Sequence, residues 1–194
     1  MTSRRATFVL AHGAWGGAHG LRHVRRLLRT EGHEISTPSL TGIGERVHLA
    51  SPPVTLGTHV RDVVNHVLYE DLRGIVLVGF SYGGFVVTGA LEHIADRVSH
   101  LVYLDAFVPA SGESLGSHVR GEGRAKLALG EEWLVSGPVR EFDDDAEAAW
   151  MGPRHAAASP DWRYREIATN HMVAKNRPQE TARLLAEAAG ASAR

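Results

Sequence analysis

The sequence predicts an α/β fold, in which a mostly parallel sheet carries helices on both faces. Short apolar runs recur at 7–11, 75–79 and 100–106, and segments with helical spacing separate them. In addition, a serine flanked by glycines stands directly after one of these runs. Strands that alternate with helices form parallel sheets, because each connecting helix returns the chain to the same end of the sheet. This alternation supports the predicted class.

The first half of the chain supplies two predicted strands and two predicted helices. Residues 7–11 are apolar and short enough for a buried strand, and a basic helix is predicted over about 20–31, ending at Gly32. A second strand is predicted at 33–37. Over 56–70 valines recur at helical spacing, which predicts a helix packed on the sheet.

Three further elements are predicted around the flanked serine. The strand at 75–79 is wholly apolar except for its last glycine, a helix follows over about 83–93, and another strand is predicted at 100–106. The serine therefore lies in the turn between a buried strand and a helix.

Beyond residue 106 the alternation is lost. Residues 107–160 are rich in Gly, Ala, Asp and Glu, which predicts a cap or lid segment over a site. A last strand at 162–168 and a helix over about 177–189 complete the layout. With 194 residues and 43% hydrophobic content, we expect a single domain over 1–194, since the chain is too short for two cores.

The run from Ile75 to Gly84 contains the pattern G-x-S-x-G, with Ser81 between Gly79 and Gly83. In a tight strand-to-helix turn, this pattern strains the backbone of the serine and directs its side chain into a cleft, while the glycines avoid collisions. The following helix N-terminus favours negative charge beside the serine. The pattern predicts a nucleophile for acyl transfer. A buried serine in a Gly-rich turn is the alternative interpretation.

Other motifs accompany the serine at the positions where such a site needs them. They are His-Gly-Ala-Trp at 12–15, the long loop at 38–46, Val-Tyr-Leu-Asp-Ala-Phe-Val-Pro at 102–109, and His171-Met172 with Pro-Gln-Glu at 178–180. Together they resemble the α/β-hydrolase superfamily, and within it the branch of plant methyl-ester esterases, hydroxynitrile lyases and their bacterial relatives. The resemblance covers most of 6–115 and about 160–188.

The resemblance implies a role for each of four site residues. Ser81 would attack a carbonyl and His171 would accept and return the proton. The backbone N–H groups of Ala14 and Tyr82 would bind the oxyanion of the tetrahedral intermediate. The serine precedes the histidine, which is the order of this superfamily.

The residue that would orient the histidine is harder to place. Family members carry this aspartate after a strand that lies between the cap and the last strand. Here the only apolar run in that interval is Trp-Leu-Val at 133–135, so part of the family layout is absent around 150–159. Asp105, at the end of the strand after the nucleophile, is the best candidate for the triad acid. Its alternative role is to cap local N–H groups in its turn.

Several aromatic residues are candidates for a substrate pocket. Trp15, Phe107 and Trp133 are predicted as substrate-binding walls, and ordinary core packing is the alternative for each. His12 lies in a Gly-rich loop at 12–17 and is expected to have a structural role by hydrogen bonding to backbone.

The sequence does not support a metal site or a cofactor. His19 and His23 are four residues apart on a predicted helix, as two ligands could be, but no third ligand stands at a characteristic spacing. The proposed acyl transfer requires neither metal nor cofactor.

Charge and composition narrow the classes of partner. The net charge is −1 and the chain has no cysteine, so we expect no nucleic-acid partner and no disulfides. The first apolar run is about five residues long, too short for a secretory signal or a membrane span. We therefore expect a cytoplasmic protein with a small-molecule ester substrate and no membrane partner. The sequence leaves a homodimer open.

These observations predict a serine hydrolase that cleaves a carboxylic ester of a small or medium-sized apolar compound. Two alternatives remain: a hydroxynitrile-lyase-like acid–base enzyme, and a degenerate scaffold that binds a small ligand. In the lyases that this branch resembles, a lysine follows the histidine and a threonine stands where this chain has Gly13. Here Met172 follows His171, which favours the esterase.

Overall fold

The computed structural model describes residues 5–113, 144–151, 173–176 and 178–190. The strands among these residues are β1 (Thr7–Ala11), β2 (Glu34–Ser36), β3 (Ile75–Phe80) and β4 (Val98–Leu104). They form one sheet, parallel throughout, in the order β2-β1-β3-β4. Every residue of β3 is buried, which explains its almost unbroken apolar sequence, because a central parallel strand is covered on both faces.

Helices connect these strands and continue beyond the sheet. They are α1 (Arg22–Thr30), α2 (Leu56–Tyr69), α3 (Gly83–Ile94), α4 (Asp145–Met151), α5 (Val173–Asn176) and α6 (Pro178–Gly190). Short 3₁₀ turns cover Ala18–Leu21, Gly44–Leu49 and Ala95–Arg97.

Two hydrophobic clusters cover the two faces of the sheet. On one face α2 and α3 pack on the sheet through residues such as Val63 and Phe85. On the other face α1 and α6 pack through Leu28 and Leu185 against residues that include Leu10. The predicted class, a parallel sheet with helices on both faces, is confirmed.

Most predicted elements are present with shifted ends. The strand predicted at 100–106 spans Val98–Leu104 instead, because its register with β3 begins at Ile75 and Val98. The strand predicted at 33–37 is shorter, covering Glu34–Ser36. The helix predicted over 20–31 begins with a 3₁₀ turn and ends at Thr30, after which Gly32 takes a φ of 88°.

Some sequence predictions lie outside the described residues. These include the strand at 162–168 and the run at 133–135. Within the predicted cap at 107–160, the structure describes helix α4, which the sequence analysis did not predict. The boundaries of the single domain and of its cap stay predictions.

Candidate active site

Ser81 lies in the turn between β3 and α3, where a buried strand meets the helix N-terminus. Its φ is +56°, in the left-handed region that side chains rarely adopt, and it is 4% exposed. Among the described residues, four non-glycine positions have such a φ: Trp15, Asp71, Ser81 and Asp105. Backbone strain of this kind is typical of functional sites, and three of these four are predicted site residues.

The glycines on either side of Ser81 are required by close backbone contacts. A Cβ at Gly79 would lie 2.7 Å from the carbonyl oxygen of Gly83 and 2.7 Å from Cγ2 of Val87. A Cβ at Gly83 would lie 2.2 Å from the carbonyl oxygen of Ala11, in β1. The prediction that both positions need glycine is confirmed. Without side chains at these positions, the turn lies directly against its neighbouring strand and helix.

The Gly-rich loop after β1 contacts the side chain of Ser81. A Cβ at Gly13 would lie 3.0 Å from Cβ and 3.3 Å from Oγ of Ser81. Ala14 follows directly and is buried, and the N–H of Gly16 donates to its carbonyl oxygen at 2.6 Å. The loop that carries one predicted oxyanion donor therefore lies against the predicted nucleophile.

Tyr82 carries the other predicted oxyanion donor and directly precedes α3. Its φ of −55° and ψ of −30° are helical, so the strained conformation is confined to Ser81 at this turn. The side chain of Tyr82 is 3% exposed and its ring stacks on Phe85 with centroids 6.3 Å apart. Its hydroxyl group lies 3.0 Å from Nδ1 of His59.

His59, which the sequence analysis did not single out, contacts the side chain of the predicted site residue Tyr82. It lies on α2 and is 1% exposed, and its Nε2 is 2.9 Å from the carbonyl oxygen of Thr41. Burial lowers its pKa below the usual value. The available signal was its spacing, since His59 precedes Val63 and Val67 by four and eight residues and so shares their buried face.

His12 has the structural role predicted for it. The N–H of Leu40 donates to its Nε2 at 3.0 Å, so Nδ1 carries the proton and donates to the carbonyl oxygen of Gly13 at 2.7 Å. Burial lowers the pKa of His12 to about 4. The neutral ring thus joins the Gly-rich loop to the loop that contains Leu40.

The turn after β4 is held against Ser81 by two backbone hydrogen bonds. The N–H of Ser81 donates to the carbonyl oxygen of Leu104 at 3.4 Å, and the N–H of Phe107 donates to that of Ser81 at 3.2 Å. Asp105 lies between these contacts, exposed and with a φ of +42°. The candidate acid is therefore at the same edge of the sheet as the candidate nucleophile.

The remaining predicted residues are less fully described. Trp15 is buried in the cluster beneath α2 and α3, and Phe107 packs on Phe85 with ring centroids 5.8 Å apart. His171 and Trp133 lie outside the described residues. Their roles, like those of the other site residues, stay predictions.

The described part of the chain holds no group of three or more His, Cys, Asp or Glu residues placed to bind a metal ion. His19 instead lies edge-on to Trp150, with ring centroids 5.8 Å apart. His23 is 3.4 Å from Glu147. In the same residues, no helix has both the length and the apolar character to cross a membrane.

The chain is similar in sequence to a known family and to several known proteins. The model of a family described as "Alpha/beta hydrolase family" matches residues 8–193. Over 110 residues the chain is 51% identical to the carbendazim hydrolyzing esterase of Nocardioides sp. (strain SG-4G), a match that covers 57% of this chain and 46% of that protein. Over 139 residues it is 31% identical to Methylesterase 8 of Arabidopsis thaliana, covering 66% and 47% respectively. The chain thus spans about half the length of the curated relatives it matches.

A solved structure supports the same fold. An extracellular α/β-hydrolase from a Paenibacillus species superposes with a TM-score of 0.74 and 23% identity, covering 87% of this chain and 73% of that one. The predicted resemblance to esterases of this branch is confirmed by the two sequence relatives.

Proposed function

The chain belongs to the α/β-hydrolase family, and we propose that it is a serine esterase that cleaves carboxylic esters of small or medium-sized apolar compounds. The observation that carries this proposal is the turn at Ser81. A buried serine with a φ of +56° is held between two glycines that cannot be replaced, and the Gly-rich loop lies against its side chain. The esterases among the relatives support the same class of reaction.

The proposed mechanism has two steps. Ser81 Oγ attacks the ester carbonyl while His171 takes its proton, and the N–H groups of Ala14 and Tyr82 stabilise the oxyanion. The intermediate collapses, and the alcohol leaves with the proton from His171. Water then attacks the acyl-enzyme with the same proton transfers, which releases the acid and restores Ser81.

We propose Asp105 as the residue that orients His171. Its exposure and its place after β4, between two residues that hydrogen-bond to Ser81, support this assignment. A positive φ costs less at Asp than at most residues, so the backbone conformation by itself is also compatible with a role in the turn alone.

The proposal is tested by Ser81→Ala, with Ser99→Ala as the matched control. Ser99 Oγ donates to the carbonyl oxygens of Gly74 and Ile75, each at 2.9 Å, so the control removes hydrogen bonds far along the sheet from the turn. We expect Ser81→Ala to abolish hydrolysis of p-nitrophenyl esters while circular dichroism shows an intact fold. Ser99→Ala should retain turnover.

A substrate panel tests the finer assignment. It contains short-chain aryl esters, carbendazim and mandelonitrile, and carbendazim is included because a relative is named for hydrolysing it. Ester hydrolysis that depends on Ser81 supports the proposal. Turnover unchanged in Ser81→Ala contradicts it, and cyanide release that outpaces ester hydrolysis would identify a lyase instead.

A further inference from the structure

We infer that His59 is a positioning residue, which holds Tyr82 so that its backbone N–H points at the oxyanion. This inference rests on the proposed function. The hydroxyl group of Tyr82 is 3.0 Å from Nδ1 of His59, and both side chains are buried. Their rings also meet edge to face, with centroids 5.8 Å apart.

The hydrogen bonds fix the direction of this contact. A carbonyl oxygen can only accept, so the contact of His59 Nε2 with Thr41 at 2.9 Å places the proton on Nε2. Nδ1 must then accept, and the Tyr82 hydroxyl group donates to it. Burial lowers the pKa of His59, which keeps this neutral form.

Thr41, whose carbonyl oxygen accepts the hydrogen bond from His59 Nε2, is itself held in place by other residues. Both the N–H and the hydroxyl group of Thr41 donate to Asp62, at 2.6 and 2.9 Å. Arg46 in turn lies 3.2 Å from the Asp62 carboxylate and donates to the carbonyl oxygen of Ser39 at 2.7 Å. A short segment at 39–41 is thus held in place by charge-assisted hydrogen bonds.

The same segment holds both elements that carry oxyanion donors. Leu40 is hydrogen-bonded to His12 in the Gly-rich loop. Thr41 is connected through the two hydrogen bonds of His59 to Tyr82, directly before α3. Because Tyr82 follows the strained Ser81, anchoring its side chain restricts rotation of the peptide unit that contains its N–H. His59 therefore acts on the distance between the two donors, without contact to substrate.

The first test compares Tyr82→Phe with Tyr103→Phe. Both variants remove one phenol hydrogen bond next to α3, since Tyr103 bonds to Thr88 Oγ1 at 2.7 Å, but only Tyr82 carries a predicted donor. We expect Tyr82→Phe to lower kcat for aryl esters about tenfold with little change in KM, because the donor acts on the transition state. Tyr103→Phe should retain kcat.

The second test separates the two hydrogen bonds of the His59 ring, one at Nδ1 and one at Nε2. An asparagine at 59 can place its amide oxygen near Nδ1 and accept from Tyr82, whereas a glutamine can place its amide N–H near Nε2 and donate to Thr41. We expect His59→Asn to lose less turnover than His59→Gln, because it keeps the hydrogen bond to Tyr82 and loses only the one to Thr41. His59→Gln should lose about as much as Tyr82→Phe. Equal losses in the two His59 variants, in step with their stability, would overturn the inference.

A measurement independent of turnover separates this inference from the proposed function. Amide hydrogen exchange at residue 82, followed by NMR, should be faster in Tyr82→Phe and His59→Gln than in the wild type and His59→Asn. If the wild type hydrolyses no ester, the esterase proposal fails while exchange still decides the role of His59. Unchanged exchange, or unchanged kcat in Tyr82→Phe beside an active wild type, contradicts the positioning role alone.

Discussion

At the scale of single residues, backbone strain marks the site. Ser81 and Asp105 both take a positive φ, and each directly follows a strand of the sheet. Trp15 takes one in the Gly-rich loop after β1. Such conformations cost on the order of 1–3 kcal/mol each and persist only where the surroundings enforce them. The sequence pattern predicted backbone strain at Ser81 only, whereas the structure has strained residues after β1, β3 and β4.

Gly13 offers a sensitive test of the contact between the Gly-rich loop and Ser81. A Cβ there would lie 3.0 Å from Ser81 Cβ, whereas one at Gly16, in the same loop, has only the Ala14 carbonyl oxygen near it, at 3.9 Å. We expect Gly13→Ala to lower kcat for aryl esters about tenfold, because small displacements of a nucleophile are costly. Gly16→Ala should retain kcat.

The readout is turnover per folded molecule, with melting temperature as the check on folding. Equal turnover in the Gly13 and Gly16 variants would show that the loop does not constrain the nucleophile.

Asp105→Asn tests the candidate acid. Asparagine tolerates a positive φ as aspartate does, so the turn should keep its conformation. If Asp105 orients His171, kcat should fall by several orders of magnitude, because an amide can hold the histidine in the wrong tautomer. Steady-state kinetics normalised to the folded fraction measures this. A loss of stability of about 1 kcal/mol with normal turnover would instead assign Asp105 to its turn.

At the scale of elements, strands and helices were predictable where apolar spacing is strong. The valines of α2 and the apolar run of β3 predicted both elements to within one residue. The ends of β4 were predicted two residues late at each end, because the residues that pair with β3 are decided by register and not by composition. Helix α4 was missed although a local signal was available, since Asp144, just before the helix, accepts a hydrogen bond from the N–H of Glu147 at 2.7 Å. Its docking, by contrast, depends on distant charges.

Those charges dock α4 on the start of α1. Arg22 donates two hydrogen bonds to Glu147, and its guanidinium carbon lies 3.6 Å from the centre of the Trp150 ring. The Glu147 side chain is 10% exposed. Although its burial raises the pKa, the hydrogen bond and charge of Arg22 outweigh this and lower it overall. Removing the partner of such a largely buried carboxylate is costly, because it leaves the charge unpaired.

We expect Arg22→Met to lower the free energy of unfolding by about 2 kcal/mol, because it leaves Glu147 without its main partner. Arg26→Met, on the exposed face of the same helix, should change it by less than about 0.5 kcal/mol. Urea denaturation followed by circular dichroism compares the two. Equal stability of the Arg22 variant and the wild type would mean that α4 is held by other contacts.

At the scale of the whole molecule, buried histidines make stability depend on pH. Burial lowers the pKa of His12, His59 and His66. For each, the unfolded chain takes up a proton near pH 6.5 while the folded chain resists it, so the free energy of unfolding falls as the pH drops below 6.5. For His12 this loss continues to about pH 4.

His12→Gln tests this dependence. A glutamine can still accept from Leu40 N–H, but it does not titrate. Between pH 7 and pH 4.5, His12 accounts for a loss of about 2 kcal/mol, so the variant should lose that much less than the wild type over the same interval. Urea titrations at the two pH values measure the difference. Parallel losses in both proteins would show that His12 is not held neutral.

The most direct test of Ser81 as an activated nucleophile is labelling of the full chain with a fluorophosphonate, followed by peptide mass spectrometry. The turn at Ser81, the loop at Gly13 and the family all predict that the serine is reactive. We expect a single phosphonate adduct on Ser81 that is absent from Ser81→Ala. A folded protein that gains no adduct, or gains it only on another serine, would contradict the esterase and leave a ligand-binding scaffold.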